Sequence, residues 1–189
     1  MEQKAYIIFR AKVHKKSIDS LISVIGDMVS KKIKNVVLIV SSTGGEVQPS
    51  LDFYDFAKNL PIDITTYALG QVASAAIVIY CIAPKRSAHS RSKFLIHGIR
   101  GGAQGFSIKE LEEKIAPSLK EQSGKITDVI AEATKKNKSD IEKDMTGEIV
   151  LDVAGAKSYG LITDVINDNP IKEVGFPIIT IGDNLFSDK

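Results

Sequence analysis

The sequence has little cysteine, no tryptophan and no long hydrophobic run. Cys81 is the one cysteine among 189 residues, so no internal disulfide can form, and it lies in the apolar run of residues 75–83, where a thiol behaves as a small hydrophobe. That run is about half of the roughly 20 residues that a membrane-spanning helix needs. The N-terminus has too short an apolar stretch for a signal peptide. These absences predict a cytoplasmic protein that does not bind membranes.

The sequence also lacks an excess of charge of either sign. Lysine and arginine number 25, aspartate and glutamate 23, and the net charge is +2. Nucleic-acid-binding domains usually carry a basic patch, so nucleic acid is not expected as a partner. The length and the 43% hydrophobic content are those of one globular domain with a sizeable core.

Short β-branched runs alternate with helical patterns in the first half of the chain. The sequence predicts strands at 5–9, 36–40 and 62–67, helices at 17–31 and 48–58, and a buried helix that begins at Ser74. Residues 36–40 are apolar throughout, as in a parallel strand covered on both faces. The fold class is therefore α/β, built from repeated β-α-β units.

The second half predicts longer helices and a polar tail. A strand at 93–96 precedes a glycine-rich stretch, and a Ser-x-x-Glu capping box at 107–110 opens a long helix of about 108–137 that Pro117 should interrupt. A second capping box at 139–142 opens a short helix before residues 148–151. A helix at 153–158 and a core strand at 161–166 follow. We divide the chain into a domain of residues 1–166 and a tail of residues 167–189, with one strand-like piece at 178–181.

Three places could carry chemistry. Gly44-Gly45 follows a predicted strand and could present backbone N–H groups to a phosphate, a carbonyl or an oxyanion, although a double glycine is more often an ordinary turn. Ser74 could be a nucleophile or a helix N-cap. His97 ends a predicted strand and could be a base or a structural residue. His14 and His89 lie in charged stretches and are expected at the surface.

Several kinds of site are excluded by pattern. No lysine follows the glycines as in a phosphate-binding loop, and no Gly-x-Gly-x-x-Gly occurs, so no nucleotide cofactor is expected. No group of His, Cys or acidic residues has metal-ligand spacing, so no metal is expected. A serine hydrolase needs a nucleophile, a base, an orienting carboxylate and oxyanion donors. The ends of the predicted strands and their loops can supply all four.

Five motifs in order resemble the proteolytic subunit of the Clp protease, ClpP, within the crotonase-like fold superfamily. The resemblance runs from about residue 6 to residue 165. The family's oxyanion loop is matched by residues 42–45, its nucleophile turn by Gly70-x-x-Ala-Ser74, and its basic pair by Lys85-Arg86. Its histidine motif is matched by His97-x-x-x-Gly101-Gly102-x-x-Gly105, and its closing motif by Ala156-x-x-Tyr159-Gly160-Leu161-Ile162.

The resemblance implies a serine endopeptidase with a catalytic triad. Ser74 would attack the peptide carbonyl, His97 would act as base and then acid, and Glu148 would orient His97. Glu148 stands where the family has aspartate, so Asp144 and Asp152 remain alternatives. The backbone N–H groups of Gly45 and Ala75 would hold the oxyanion.

The resemblance also implies an assembly. The long helix is similar to the protruding handle of the family, which predicts a homo-oligomeric ring that acts on peptides or unfolded proteins. A heptamer is one candidate size, and the ring size stays open. Thr146-Gly147 replace an Asp-Arg pair that links two rings in the family, so stacking of rings stays open. The first predicted strand begins at residue 5, which leaves no segment for axial loops, so dependence on an AAA+ unfoldase also stays open.

Other functions compete with this interpretation. A crotonase-type acyl-CoA enzyme would use the two backbone N–H groups without Ser74 and His97. A non-catalytic ring subunit would keep the fold with a degraded triad. A Ser–Lys dyad, with Lys93 as the nearest lysine, would make His97 dispensable.

Overall fold

A twisted, mostly parallel sheet with helices around it forms the body of the protein. The structure is a computed structural model, and it describes residues 3–100, 107–173 and 175–183. The first half consists of β1 (Lys4–Arg10), α1 (Lys15–Ser30), β2 (Asn35–Ser42), α2 (Val47–Lys58), β3 (Asp63–Ala73), α3 (Ala75–Tyr80), β4 (Lys85–Ala88) and β5 (Lys93–Ile96). The second half consists of α4 (Ile108–Glu110), a π-helical turn (Leu111–Ile115), α5 (Ala116–Thr134), α6 (Lys138–Gly147), β6 (Ile149–Leu151), α7 (Val153–Tyr159), β7 (Asp164–Val165) and β8 (Ile178–Gly182).

The strand order is β6-β5-β3-β2-β1-β8, and β4 pairs with both β3 and β7. β3 is long enough to pair with two strands, with β4 along Thr65–Ala68 and with β5 along Gln71–Ala73. All pairs are parallel except β5 with β6, which is antiparallel. The carboxyl ends of β2, β3 and β5 consequently meet at one edge, where ligands bind in open α/β sheets.

The predicted strands and helices of the first half are confirmed. β2 lies between β1 and β3, and Leu38 and Val40 are fully buried, as the uninterrupted apolar run indicated. β3 extends beyond the predicted 62–67 to end directly before Ser74. β4 was not predicted, because Lys85-Arg86-Ser87-Ala88 carries no strand-like apolar pattern. Among the described residues, no helix is long and apolar enough to cross a membrane.

The long helix forms as predicted, with an irregularity ahead of its proline. The Ser107 hydroxyl accepts from the backbone N–H of Glu110, and the Glu110 carboxylate accepts from that of Ser107, so the first capping box is confirmed. The π-helical turn stands immediately before α5, in which Pro117 is the second residue. Proline has no N–H to donate to the preceding turn, which agrees with the irregular hydrogen bonding there. The helix ends at Thr134, and Lys135 takes a left-handed conformation with φ 62°.

Two predictions for the second half are wrong in detail. The second capping box does not form, because α6 begins at Lys138 with Asn137 as its N-cap, which places Ser139 inside the helix. The last core strand is only Asp164–Val165, which is exposed, whereas Leu161 and Ile162 are buried ahead of it. Within the predicted tail, β8 pairs in parallel with β1.

Candidate active site

Ser74 occupies a strained turn between a strand and a helix. β3 ends at Ala73 and α3 begins at Ala75, and Ser74 between them has φ 55° and ψ −130°. The Ser74 N–H donates to the carbonyl of Leu95 (2.9 Å), which fixes the turn against β5. Its side chain makes no capping hydrogen bond. A non-glycine residue in such a conformation costs about 1–3 kcal/mol and is typical of functional sites.

The glycine loop packs directly against this turn. Gly44 has φ +88°, and a Cβ there would lie 2.5 Å from the Ala73 carbonyl oxygen and 2.7 Å from the Ser74 Cβ. Gly45 has φ +149°, and its Cβ would meet the Val13 carbonyl oxygen at 2.1 Å. Only glycine fits at either position. We keep for residues 42–45 the name oxyanion loop that the family resemblance gave them. The loop packs tightly against Ser74, which an ordinary surface turn would not do.

A cavity of about 750 Å³ brings most of the predicted residues together. Its lining includes Ser74, Ala75, Gly45 and His97. Ala75 is the first residue of α3, so its N–H has no acceptor within the helix. Apolar side chains from β5 and α5, among them Ile96, Ile126 and Ile130, complete one wall. The cavity thus combines a hydroxyl, an imidazole and backbone donors with an apolar surface.

His97 has the tautomer that a general base needs. Its Nδ1 lies 2.6 Å from the carbonyl oxygen of Gly98, and because a carbonyl only accepts hydrogen bonds, Nδ1 carries the proton. In the neutral imidazole Nε2 is then the basic nitrogen. Within the described residues, no hydrogen bond joins His97 to Ser74 or to Glu148.

Strand pairing places Glu148 opposite His97. In the antiparallel pair of β5 and β6, Ile96 faces Ile149, so the residues just beyond them, His97 and Glu148, face each other at the strand ends. The Gly98 N–H donates to the Met145 carbonyl (2.8 Å) and holds the same crossing together. Glu148 is the C-cap of α6 with φ 54°, and its carboxylate pairs with the Arg100 guanidinium. That ion pair, with a smaller contribution from His97, lowers the pKa of Glu148.

The alternative acids are engaged elsewhere. The Asp144 carboxylate accepts from the Tyr159 hydroxyl (2.8 Å). The Asp152 carboxylate caps α7 by accepting from the Gly155 N–H (2.7 Å). Neither lines the cavity of Ser74, and Glu148 does not line it either, although its partner Arg100 does.

Three further predictions about residue placement are revised. Lys93 lies at the start of β5, whereas His97 follows its end. Lys93 pairs with Gln71, which precedes Ser74 by three residues, or about 10 Å along β3. This distance removes Lys93 as the base of a Ser–Lys dyad. His14 is only partly exposed, because it caps α1 and lines the cavity. Its place in the cavity comes from the pairing of Val13 with Gly45, which no local pattern indicates. His89 is also half-buried.

Other chemistry at this site finds little support in the described residues. Burial raises the pKa of the Cys81 thiol to about 12, so this cysteine stays protonated and is a poor nucleophile. No group of three or more His, Cys, Asp or Glu side chains there could hold a metal ion. The glycines of the histidine motif, Gly101, Gly102 and Gly105, lie outside the described residues.

Comparison with known proteins identifies the family of the chain. The family model for Clp protease matches residues 1–169. The chain belongs to the Clp protease family. An ATP-dependent Clp protease proteolytic subunit 1 from Rhodopirellula baltica is 29% identical over 142 residues, which are 74% of this chain and 62% of that protein. The proteolytic subunit 1 of Rhodococcus jostii is 33% identical over 136 residues, which are 70% of this chain and 61% of that protein.

The fold is that of the same family. A solved structure of a ClpP1 point mutant from Listeria monocytogenes superposes with a TM-score of 0.77 at 24% identity, covering 89% of this chain and 93% of that one. The predicted membership and the predicted ClpP-like α/β fold are thereby confirmed. The chain spans about three fifths of the length of the two curated Clp protease relatives.

Proposed function

We propose that this member of the Clp protease family is a serine endopeptidase that uses Ser74, His97 and Glu148. One observation carries the proposal: Ser74, in its strained turn, shares a single cavity with His97 and with the backbone of Gly45 and Ala75. Nucleophile, base and oxyanion donors are the groups that acyl transfer requires.

The reaction follows from the chemistry of these groups. Ser74 Oγ attacks the carbonyl carbon of the peptide while its proton moves to Nε2 of His97. The oxyanion accepts hydrogen bonds from the N–H groups of Gly45 and Ala75. His97 then gives its proton to the leaving amine, and the acyl-enzyme is hydrolysed by water through the same steps. Glu148, across from His97, stabilises the imidazolium formed in each half of the reaction.

A non-catalytic ring subunit is the second candidate. It is favoured by the pairing of Glu148 with Arg100 and by the contact of His97 Nδ1 with Gly98. In both contacts a proposed triad residue is bound to a partner outside the triad. A substrate that fills the cavity would have to draw them together. The acyl-CoA function has no comparable observation in its favour.

A serine-reactive phosphonate separates the two candidates. We expect the probe to label Ser74 in the wild-type protein and in Ser90→Ala, whose exposed serine is the control, but not in Ser74→Ala. Hydrolysis of a fluorogenic peptide should disappear with the label. Thermal unfolding of Ser74→Ala should match wild type, since the side chain makes no cap bond. Wild-type turnover by Ser74→Ala would contradict the serine mechanism.

His97 offers a second test of the same catalytic unit. We expect His97→Ala to be nearly as damaging as Ser74→Ala and the double variant to be little worse than either, because members of one catalytic unit are not additive. Losses that multiply would place His97 outside the unit.

We further propose that the protein works as a homo-oligomeric ring on peptides or unfolded proteins in the cytoplasm. The support for assembly is the apolar stripe of Leu111, Ile115 and Leu119, which is only partly covered along the projecting helix. A heptameric ring, stacked rings and an AAA+ unfoldase partner are outcomes that a mass measurement and a binding assay can distinguish. The free, buried Cys81 is compatible with a reducing compartment.

A further inference from the structure

We propose that Asp183, which follows the C-terminal strand β8, is a positioning residue for the oxyanion loop. The inference rests on the proposed peptidase function, because it assigns Asp183 an effect on the donor at Gly45. Asp183 lies beyond residues 1–169, the part of the chain that matches the family model.

β8 carries Asp183 to the active-site end of β1. The two strands run parallel in register, with Tyr6 opposite Ile178 and Arg10 opposite Gly182. The next residue of the tail, Asp183, is thus level with the loop that follows β1. Its carboxylate oxygens accept the backbone N–H of Lys12 at 3.0 and 3.1 Å.

His14 provides a second contact for the same carboxylate. Its Nδ1 accepts from the Ser17 N–H at the start of α1 (3.1 Å), so in the neutral ring the proton is on Nε2. Nε2 lies 3.7 Å from an Asp183 carboxylate oxygen. Asp183 consequently bonds the segment of residues 11–14 at Lys12 and lies beside it at His14.

That segment is bonded in turn to the oxyanion loop. The Val13 N–H donates to the Gly44 carbonyl (2.9 Å), and the Glu46 N–H donates to the Val13 carbonyl (2.7 Å). Val13 is thus bonded to the residues on both sides of Gly45. The Ser42 hydroxyl donates to the Ala11 carbonyl (2.6 Å). Three hydrogen bonds therefore join residues 11–14 to the strand end and loop that present the Gly45 N–H.

Close packing makes the coupling stiff. A Cβ on Gly45 would lie 2.1 Å from the Val13 carbonyl oxygen, so the two backbones have no space between them. A displacement of Val13 is transmitted to Gly45. Oxyanion donors act only when they are aimed at the charge that develops in the transition state, and a misplacement of about 1 Å can cost about 100-fold in rate.

A second acid of the tail serves as a matched control. Glu173 pairs with Lys4 (3.0 Å) at the other end of β1, away from the cavity. Both acids tie the tail to the body of the protein. Only Asp183 contacts the segment that holds the oxyanion loop.

The experiment compares Asp183→Ala with Glu173→Ala in the full chain by two measurements. The first is hydrogen exchange of the amides at residues 43–46, which does not depend on activity. The second is steady-state hydrolysis of a fluorogenic peptide. We expect faster exchange and a kcat about 10- to 100-fold lower, with KM nearly unchanged, for Asp183→Ala, and wild-type values of both for Glu173→Ala. Asp183→Asn, which keeps one acceptor for Lys12, should be intermediate.

The outcomes of these measurements separate the role of Asp183 from the proposed peptidase function. Three results would overturn the positioning role. The first is wild-type exchange and wild-type kcat in Asp183→Ala, and the second is an equal loss of kcat in the two alanine variants. The third is faster exchange in Asp183→Ala with unchanged kcat. If the wild-type protein neither hydrolyses peptides nor reacts with the phosphonate, the peptidase proposal fails. In that case faster exchange in Asp183→Ala alone would still establish the link between tail and loop, while unchanged exchange would overturn it.

Discussion

Glu148 and His97 follow directly on the paired ends of β6 and β5, and the direct partner of Glu148 is Arg100. The register of β5 and β6 ends with Ile96 opposite Ile149, so His97 and Glu148 are the next residues at adjoining strand ends. An acid that is held close but paired elsewhere can turn to the imidazole when a substrate brings positive charge onto His97. The contribution of Glu148 to catalysis is therefore the most informative residue-scale test.

We expect Glu148→Gln to lower kcat by about two to four orders of magnitude with little change in KM, as the corresponding change does in a serine-protease triad. A neutral amide cannot stabilise the imidazolium. The measurement is steady-state hydrolysis of a peptide, with unfolding followed in parallel.

The alternative acids are the controls for that variant. Asp144→Asn weakens the bond from Tyr159, and Asp152→Asn alters the cap of α7, so each should lose some stability but keep its turnover. Near-wild-type activity in Glu148→Gln together with a large loss in either control would move the catalytic acid to that position. Full activity in all three variants would leave a Ser–His dyad.

Arg100 controls the protonation of Glu148. Its guanidinium holds the pKa of that carboxyl below the usual value. The carboxylate therefore remains ionised as the pH falls below its ordinary pKa, and the ion pair is lost only when the pH passes through the lowered value. We expect the Glu148 carboxyl to titrate at higher pH in Arg100→Met than in wild type when followed by ¹³C NMR. Arg91→Met, which changes an exposed arginine, should leave the titration unaltered.

At the scale of the elements, a buried arginine fastens two helix ends to the sheet. The Arg86 side chain on β4 donates to the carbonyls of Ala133 near the end of α5 (2.7 Å) and of Gly160 and Leu161 after α7 (3.1 and 2.8 Å). A cation at helix C-termini complements the helix dipole and satisfies carbonyls that the helix leaves free. The predicted basic pair is thus in part a structural device.

We expect Arg86→Met to destabilise the protein by about 3 kcal/mol, because several buried carbonyls lose their donor together. Arg91→Met should lie within about 0.5 kcal/mol of wild type, as surface changes usually do. Chemical denaturation of both variants is the measurement. Equal stability of the two would show that water replaces the Arg86 donors.

At the scale of the whole molecule, the long helix carries an apolar stripe that the described residues cover only in part. Leu111, Ile115 and Leu119 recur every four residues, so they lie on one side of the helix, and each is partly exposed. Exposed apolar surface of this kind is typical of an interface. Farther along the same helix, Ile126 and Ile130 are buried against the body.

We expect Leu119→Glu to break the assembly into smaller species while the subunit stays folded, because a charge in a buried interface lacks a partner. Ser118→Glu places the same charge on the exposed neighbouring position and should leave the assembly intact. Light scattering after size-exclusion chromatography measures the mass of each. A wild-type monomer, or equal masses for wild type and Leu119→Glu, would contradict the ring.

Local sequence pattern by itself determined most strands and helices of the first half of the chain and several candidate site residues. Apolar periodicity placed β1, β2 and β5 and the helices between them, since burial of one face imposes the spacing of the apolar residues. The turn at Ser74 and the double glycine at 44–45 were visible because backbone conformations of that kind demand small residues. Ser74, His97 and Gly45 were therefore candidates from sequence, and the structure brings them to one cavity.

Only the tertiary structure decided which residues meet across long stretches of chain. β4 has no apolar pattern and forms because β3 and β7 offer it hydrogen bonds on both sides. The approach of Glu148 to His97 depends on the antiparallel register of β5 with β6, and the contact of Asp183 with Lys12 depends on β8 joining β1. Strand register is set by pairing partners distant in sequence, so no local pattern encodes these contacts, and they arise only when the sheet is assembled.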